Sequence, residues 1–253
     1  MRQPALAPPL PLLRKFSAEE ATQGVAVGRD HFYAIDNARI GKYERATGRK
    51  VGTYQSAPER PLIHMDGGMV RGTVLYCSHS NFPETPMLSS IESFEAHSLT
   101  HLASQSFGLD AGSLTWMDWF EGAWWVCFGH YNGKGGEPGK TNQATVLVRY
   151  DSQWRKLGGY VFPSALIARW DGMTASGGVW GPNQTLLVTG HHAPEIYQLR
   201  LPRVGSVLEI VQIIASPIEG QGIALDPARK RLFQIQRKER AVYEFDLAPL
   251  YRS

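Results

Sequence analysis

Five of the eight histidines in this chain, His64, His79, His130, His191 and His192, stand at the ends of short apolar runs and beside small or amide residues. The contexts Ser78-His79-Ser80-Asn81, Gly129-His130-Tyr131-Asn132 and Gly190-His191-His192-Ala193 repeat one local arrangement. Neutral imidazole ligates zinc, iron, manganese, copper or nickel, and three or four such ligands with one open position make a catalytic metal centre. The sequence therefore predicts a divalent ion, zinc, manganese or iron, held by His79, His130 and His191 with His64 as a fourth ligand, and Gln221 as a substitute for one of them. His192, Arg237, Asp66 and Asp118 are the candidates for acid–base work or substrate contact around it. Gln23, Trp116, Asn81, Asn132 and Gln221 are candidate substrate-binding residues. Arg237 has the geometry to clamp a carboxylate by a bidentate pair, although the charged run Lys238-Glu239-Arg240 after it also suits a solvated turn. Two other readings stand beside the metal: a ligand or catalytic site with no ion, and histidines that simply tie neighbouring segments together. None of the spacings is a short metal signature such as H-x-x-x-H, so only a fold that gathers distant stretches can make one site of them.

A recurring unit supplies such a fold. The pattern aliphatic, two variable residues, aromatic, acid appears as Ile40-Gly41-Lys42-Tyr43-Glu44, Ile91-Glu92-Ser93-Phe94-Glu95, Leu147-Val148-Arg149-Tyr150-Asp151 and Val242-Tyr243-Glu244-Phe245-Asp246, with a weaker copy at Ile196-Tyr197-Gln198-Leu199-Arg200. The fourth positions are 51, 56, 49 and 46 residues apart. Two strand-like runs precede each copy, as at 24–27 and 31–35, and a fourth strand follows most of them, at 50–54, 99–104, 157–162 and 208–214. Four antiparallel strands per repeat of about 50 residues predict a β-propeller, here all-β with five blades. The expected organisation is a single domain over 1–253, with blades near 21–55, 61–107, 112–163, 174–215 and 220–247. The last repeat stops after its third strand, which would leave a sheet edge unpaired. The run 11–17, containing Leu12-Leu13-Arg14-Lys15-Phe16, is expected to complete that blade and close the ring. A two-sheet sandwich is the competitor, but it does not require five similar units. In a propeller the starts of the inner strands and the ends of the second strands share one face, which is where the five histidines fall.

Composition narrows the functional classes. With 26 Lys and Arg against 23 Asp and Glu, the formal charge is +3, and the basic residues are scattered rather than clustered. No nucleic-acid partner is expected. No apolar run approaches the roughly 20 residues that span a bilayer. Hydrophobic residues make up 43% of the chain, enough for a packed core and against disorder. The two cysteines, Cys77 and Cys127, lie in apolar strand-like runs and read as buried free thiols. Prolines interrupt the first residues, where a secretory leader would need a continuous apolar stretch, so the expected location is cytoplasmic, or periplasmic or secreted if a leader has been removed. Gly139-Lys140-Thr141 resembles the end of a phosphate loop, but residue 134 is Lys where glycine is required and a strand follows. The surrounding loop 132–142 is expected to be a lid beside His130, with 81–86 as a shorter rim.

The stretches Thr22-Gln23-Gly24-Val25-Ala26, Tyr76-Cys77-Ser78-His79-Ser80-Asn81, Gly112-Ser113-Leu114-Thr115-Trp116, Ser176-Gly177-Gly178-Val179-Trp180-Gly181 and Gly220-Gln221-Gly222-Ile223-Ala224 run through the whole chain. In these the chain resembles bacterial small propeller proteins labelled cycloisomerases, which are distantly like carboxy-muconate cyclases. The resemblance implies a propeller throughout and a cycloisomerase activity, while a metal on the axis suits a lyase, lactonase/cycloisomerase or hydrolase type of reaction. Combined with the histidines, the expected function is a metal-dependent enzyme acting on a small, oxygen-rich or anionic organic substrate. The alternative is a non-catalytic propeller that binds a small ligand or a protein partner.

Overall fold

Neighbouring residues along a strand point to opposite faces of its sheet. In this chain both faces are apolar. Val25, Phe32 and Ala34 enter one buried cluster, whereas Ala26, Tyr33 and Ile35 enter another. Trp124 and Val126 likewise part from Trp125 and Cys127, and Leu186 from Leu187. A sheet apolar on both faces must be covered on both, and a ring of sheets does this without a terminal member.

The computed structural model describes residues 6–59, 61–109 and 111–251. Two short strands come first, β1 (Leu6–Ala7) and β2 (Leu12–Ser17). Blade one is β3 (Gly24–Val27), β4 (His31–Asp36), β5 (Arg39–Glu44) and β6 (Lys50–Gln55). Blade two is β7 (Met65–Arg71), β8 (Val74–Ser80), β9 (Ser89–Glu95) and β10 (His101–Gly108). Blade three is β11 (Ser113–Phe120), β12 (Ala123–Gly129), β13 (Val146–Tyr150) and β14 (Lys156–Val161). A one-turn helix, α1 (Ser164–Ile167), leads to blade four: β15 (Gly177–Trp180), β16 (Leu186–Thr189), β17 (Glu195–Arg200) and β18 (Glu209–Ala215). Blade five is β19 (Ile223–Asp226), β20 (Arg231–Gln236) and β21 (Ala241–Asp246).

The chain is a five-bladed β-propeller closed by its N-terminal strand, as the repeats predict. β2 pairs antiparallel with β21, Phe16 opposite Val242, and supplies the fourth strand of blade five. β1, which the repeats do not predict, adds to blade four as a fifth, parallel strand on β18. Five buried clusters fill the five inter-blade interfaces, the seam between blades five and one included, where Phe16, Phe233 and Val242 meet Val25 and Phe32. Cys77 and Cys127 are free and buried in this packing.

The first strand of each blade lies nearest the axis, and β3, β7, β11, β15 and β19 touch in a closed cycle. Their approach is close enough to demand glycine. A Cβ on Gly24 would lie 2.0 Å from the Asp66 carbonyl oxygen, and one on Gly222 would lie 2.5 Å from Gly24 Cα.

Candidate functional site

Met65 of β7 pairs with His79 of β8, and Ser113 of β11 with Gly129 of β12, so inner-strand starts and second-strand ends do share a face. On that face a chain of side-chain hydrogen bonds crosses three blades. Gln221 Nε2 donates to Gln23 Oε1 at 3.0 Å, and Gln23 Nε2 donates to Asn37 Oδ1 at 2.9 Å. Asn37 Oδ1 also takes His64 Nδ1 at 2.7 Å, and since that oxygen can only accept, the His64 proton sits on Nδ1. His64 Nε2 therefore carries the lone pair, and it faces Asp66 Oδ2 at 3.9 Å. Burial first, then the positive charges of His79, Arg237 and Lys134, lower the His64 pKa to about 4. Asp66 shows the reverse: it is buried, its pKa is well above the usual carboxylate range for that reason, and the Arg237 charge opposes the rise. Among the described residues, Asp66 Oδ1 and Gln221 Oε1 are buried without a hydrogen-bond partner.

Arg237, at the end of the second strand of blade five, is the cation of this cluster. Its Nη1 lies 2.5 Å from His191 Nε2 and can only donate, so His191 accepts there and keeps its proton on Nδ1. That proton points at His192 Nε2, 3.0 Å away, and His192 is exposed. Burial, then Arg237, then His192 bring the His191 pKa to about 4. Arg237, His191 and His192 thus form a hydrogen-bonded chain that reaches the surface at His192.

The four expected metal ligands do not converge. Among the described residues no three His, Cys, Asp or Glu side chains gather so as to hold an ion. The lone pairs explain why. His79 Nε2 accepts from the Ile63 backbone N–H at 3.2 Å, while its Nδ1 meets Ser90 Oγ at 3.0 Å. His191 spends its lone pair on a guanidinium, whose fixed charge would repel a divalent cation. His130 Nδ1 lies 3.3 Å from Glu137 Oε2 in the loop 132–142, which Lys140 also engages at 3.1 Å. Only His64 and His130 keep a nitrogen outside these contacts. The residues as arranged do not fit a shared metal centre.

Other candidates stand elsewhere. Asp118 occupies the far end of β11, opposite Trp125, and so belongs to the other face of the disc. Its oxygens accept the Trp119 and Trp180 backbone N–H groups, each at 2.8 Å, and burial pushes its pKa up to about 7. The Trp116 ring lies where a Gly178 Cβ would be, inside the core between blades three and four. Asn81 and Asn132 hold their own loops, Asn81 Oδ1 accepting from Leu88 N at 2.7 Å and Asn132 Oδ1 from Asn142 N at 2.8 Å. Of the sequence-derived set, the axis therefore collects Gln23, His64, Asp66, His191, Gln221 and Arg237, with His192 at the rim.

Two residues were missed. Asn37 is the hub of the amide chain, and its place beside the histidine register was the available signal. Phe82, in the rim loop, covers the cluster: its ring stands 4.9 Å from those of both His64 and Tyr131. Gly135 of the lid packs against the Phe82 ring. Nothing in the sequence marks a lone Phe between Asn81 and Pro83 as a cap.

No family model and no curated protein matches the chain. Among solved structures, it is similar to Kuenenia stuttgartiensis hydrazine synthase, at 11% identity and TM-score 0.49, over 91% of this chain and 66% of that one. It is also similar to the Cps50 (Swd1) β-propeller domain of Myceliophteria thermophila, at 8% identity and TM-score 0.47, over 88% and 83%. The chain thus spans about two thirds of the length of the hydrazine synthase chain. Likeness this distant concerns architecture and transfers no reaction.

Proposed function

We propose that the axial cluster takes a small carboxylate or similar oxygen-rich organic anion, anchors it on Arg237, and moves a proton on it between Asp66 and His64 with no resident metal. The observation that carries this reading is Asp66: buried, without a partner on Oδ1 among the described residues, facing an imidazole lone pair and near a guanidinium. Burial shifts the carboxyl toward its protonated form, the form in which it is an acid able to donate. His64, with its pKa near 4, is neutral and presents a basic nitrogen. A base and an acid on one side of a bound anion suit elimination, lactone opening or closing, and isomerisation by proton transfer. The Arg237 guanidinium has donors to spare for a bidentate carboxylate pair, and its hydrogen bond to His191 fixes its orientation. Gln23 and Gln221 complete a polar wall, and Phe82 excludes water from above.

The test is thermal unfolding of the protein against a panel of small hydroxy-, keto- and unsaturated carboxylates and their lactones, followed by incubation of each hit in heavy water with proton NMR. The expected result is a rise in melting temperature for a subset of the carboxylates, its loss in Arg237→Gln, and deuterium incorporation or conversion that is lost in Asp66→Asn. No stabilisation by any member, or a shift that survives Arg237→Gln, overturns the proposal. Stabilisation without exchange or conversion replaces it with the non-catalytic ligand-binding reading.

A further inference from the structure

The opposite end of the axis carries a separate feature. A cavity of about 320 Å³ opens where the inner strands end, walled by Trp119, Phe120, Trp180, Tyr251, Val179 and Leu225 among others. Behind it, a space of about 60 Å³ runs along the axis and is lined from all five inner strands, by Val27, Gly68, Met117, Gly178 and Ile223. Asp118 lines both. Among the described residues its carboxylate is the single acidic group in the two linings, and the other charged or titratable groups there are Arg71 and Tyr251, both in the outer cavity. The walls are otherwise apolar or aromatic. Two of the aromatic walls already hold a cation of the protein itself: the Arg71 guanidinium lies 4.1 Å from the Trp119 ring centre, and Lys230 Nζ lies 4.8 Å from that of Tyr251.

From this geometry we infer that the second mouth is a binding site for a small organic ammonium, an amine on an apolar or aromatic body, with the ammonium on Asp118 and the body against Trp180, Phe120 and Val179. Aromatic walls around one carboxylate recognise cationic amines, because ring faces and the acid attract the same charge while the apolar walls desolvate the rest. The cavity is large enough for a molecule of this kind. Asp118 keeps acceptor capacity, since each of its oxygens takes one backbone N–H and an ionised carboxylate accepts about four hydrogen bonds. Because the Asp118 pKa lies near 7, the site would change charge across the neutral range and prefer ammonium above it. This mouth lies at the other end of the disc from Arg237, so the inference stands independently of the axial proposal.

Calorimetric titration of the purified protein with 2-phenylethylammonium, 2-phenylethanol and phenylacetate tests it, at pH 8 and at pH 5. The ammonium stays charged throughout this range, like a lysine side chain. Expected are saturable millimolar-or-tighter binding of the ammonium at pH 8, weakening of at least about tenfold at pH 5, and weaker or no binding of the alcohol and the acid. Asp118→Asn is expected to weaken ammonium binding at pH 8 by a similar factor and to remove its pH dependence; the wild-type pH and ligand comparisons decide the matter even if that variant fails to fold. Absence of saturable ammonium binding, equal affinity for phenylacetate, or pH-independent binding in the wild type overturns the inference.

Discussion

A neutral histidine has a single lone pair, and the partner of that lone pair decides whether the ring can ligate a metal or carry a proton. In this chain the His79 lone pair goes to a backbone N–H and that of His191 to Arg237, while that of His64 faces a buried acid. The types and the shared face of these histidines are legible in the sequence; their tautomers are not, because Ile63 N–H, Asn37 and Arg237 reach them only once the loops are folded. The pKa directions give a titration test. His64 and His191 have folded values near 4 against an ordinary 6.5, so between those limits the unfolded chain binds more protons than the folded one. Their contribution to stability is fully present above about pH 6.5 and is lost as pH falls through 4. Asp118 has the opposite sign: raised to about 7, it contributes below the ordinary carboxylate pKa and that contribution is lost as pH rises through 7. In histidine-resolved NMR the His64 and His191 rings are therefore expected to remain neutral at pH 6, and melting temperature in His64→Gln is expected to fall less steeply than in the wild type between pH 6.5 and 4. A His64 ring that titrates near 6.5 contradicts this account.

Two elements bear most on the site. β2 closes the ring by pairing with β21, and the side chain it buries in the seam is Phe16, which is 4% exposed against Phe32 and Phe233, whereas Leu13 on the same strand is 44% exposed. Phe16→Ala is expected to cost about 3–5 kcal/mol in denaturant unfolding, and Leu13→Ala less than about 0.5 kcal/mol. Equal effects would mean that β2 does not seal the seam. That strand was legible because the last repeat lacked a fourth strand and the run 12–16 supplied one; β1 was not, because two residues carry no periodicity. The rim loop is the second element. Removing its cap in Phe82→Ala is expected to raise the rate of His64 modification by diethyl pyrocarbonate several-fold, read by peptide mass spectrometry, while His31, at the far side of blade one, is modified at an unchanged rate. An unchanged His64 rate would show that Phe82 does not control access.

At the scale of the whole molecule, five two-faced sheets enclose an axis that is tight in the middle and chemically different at its ends. The tightness is backbone against backbone: Gly24→Ala would drive a methyl group into the Asp66 carbonyl, and the expected outcome is loss of soluble, cooperatively folding protein. A well-folded Gly24→Ala variant would contradict the close approach of blades one and two. The repeat spacing and the short apolar runs made the ring readable from sequence. The assignment of Asp118 to the histidine face failed because β11 is eight residues long, so two residues of one inner strand, Ser113 and Asp118, belong to opposite ends. The claim on which the functional account rests is that Arg237 and Asp66, rather than a metal, receive the ligand. A crystal structure of the protein soaked with the carboxylate that stabilises it most tests this directly. The account predicts the carboxylate paired to the Arg237 guanidinium with another polar group beside Asp66 and Gln221. A metal ion bridging His64, His130 and His191, or the carboxylate bound away from Arg237, would contradict it.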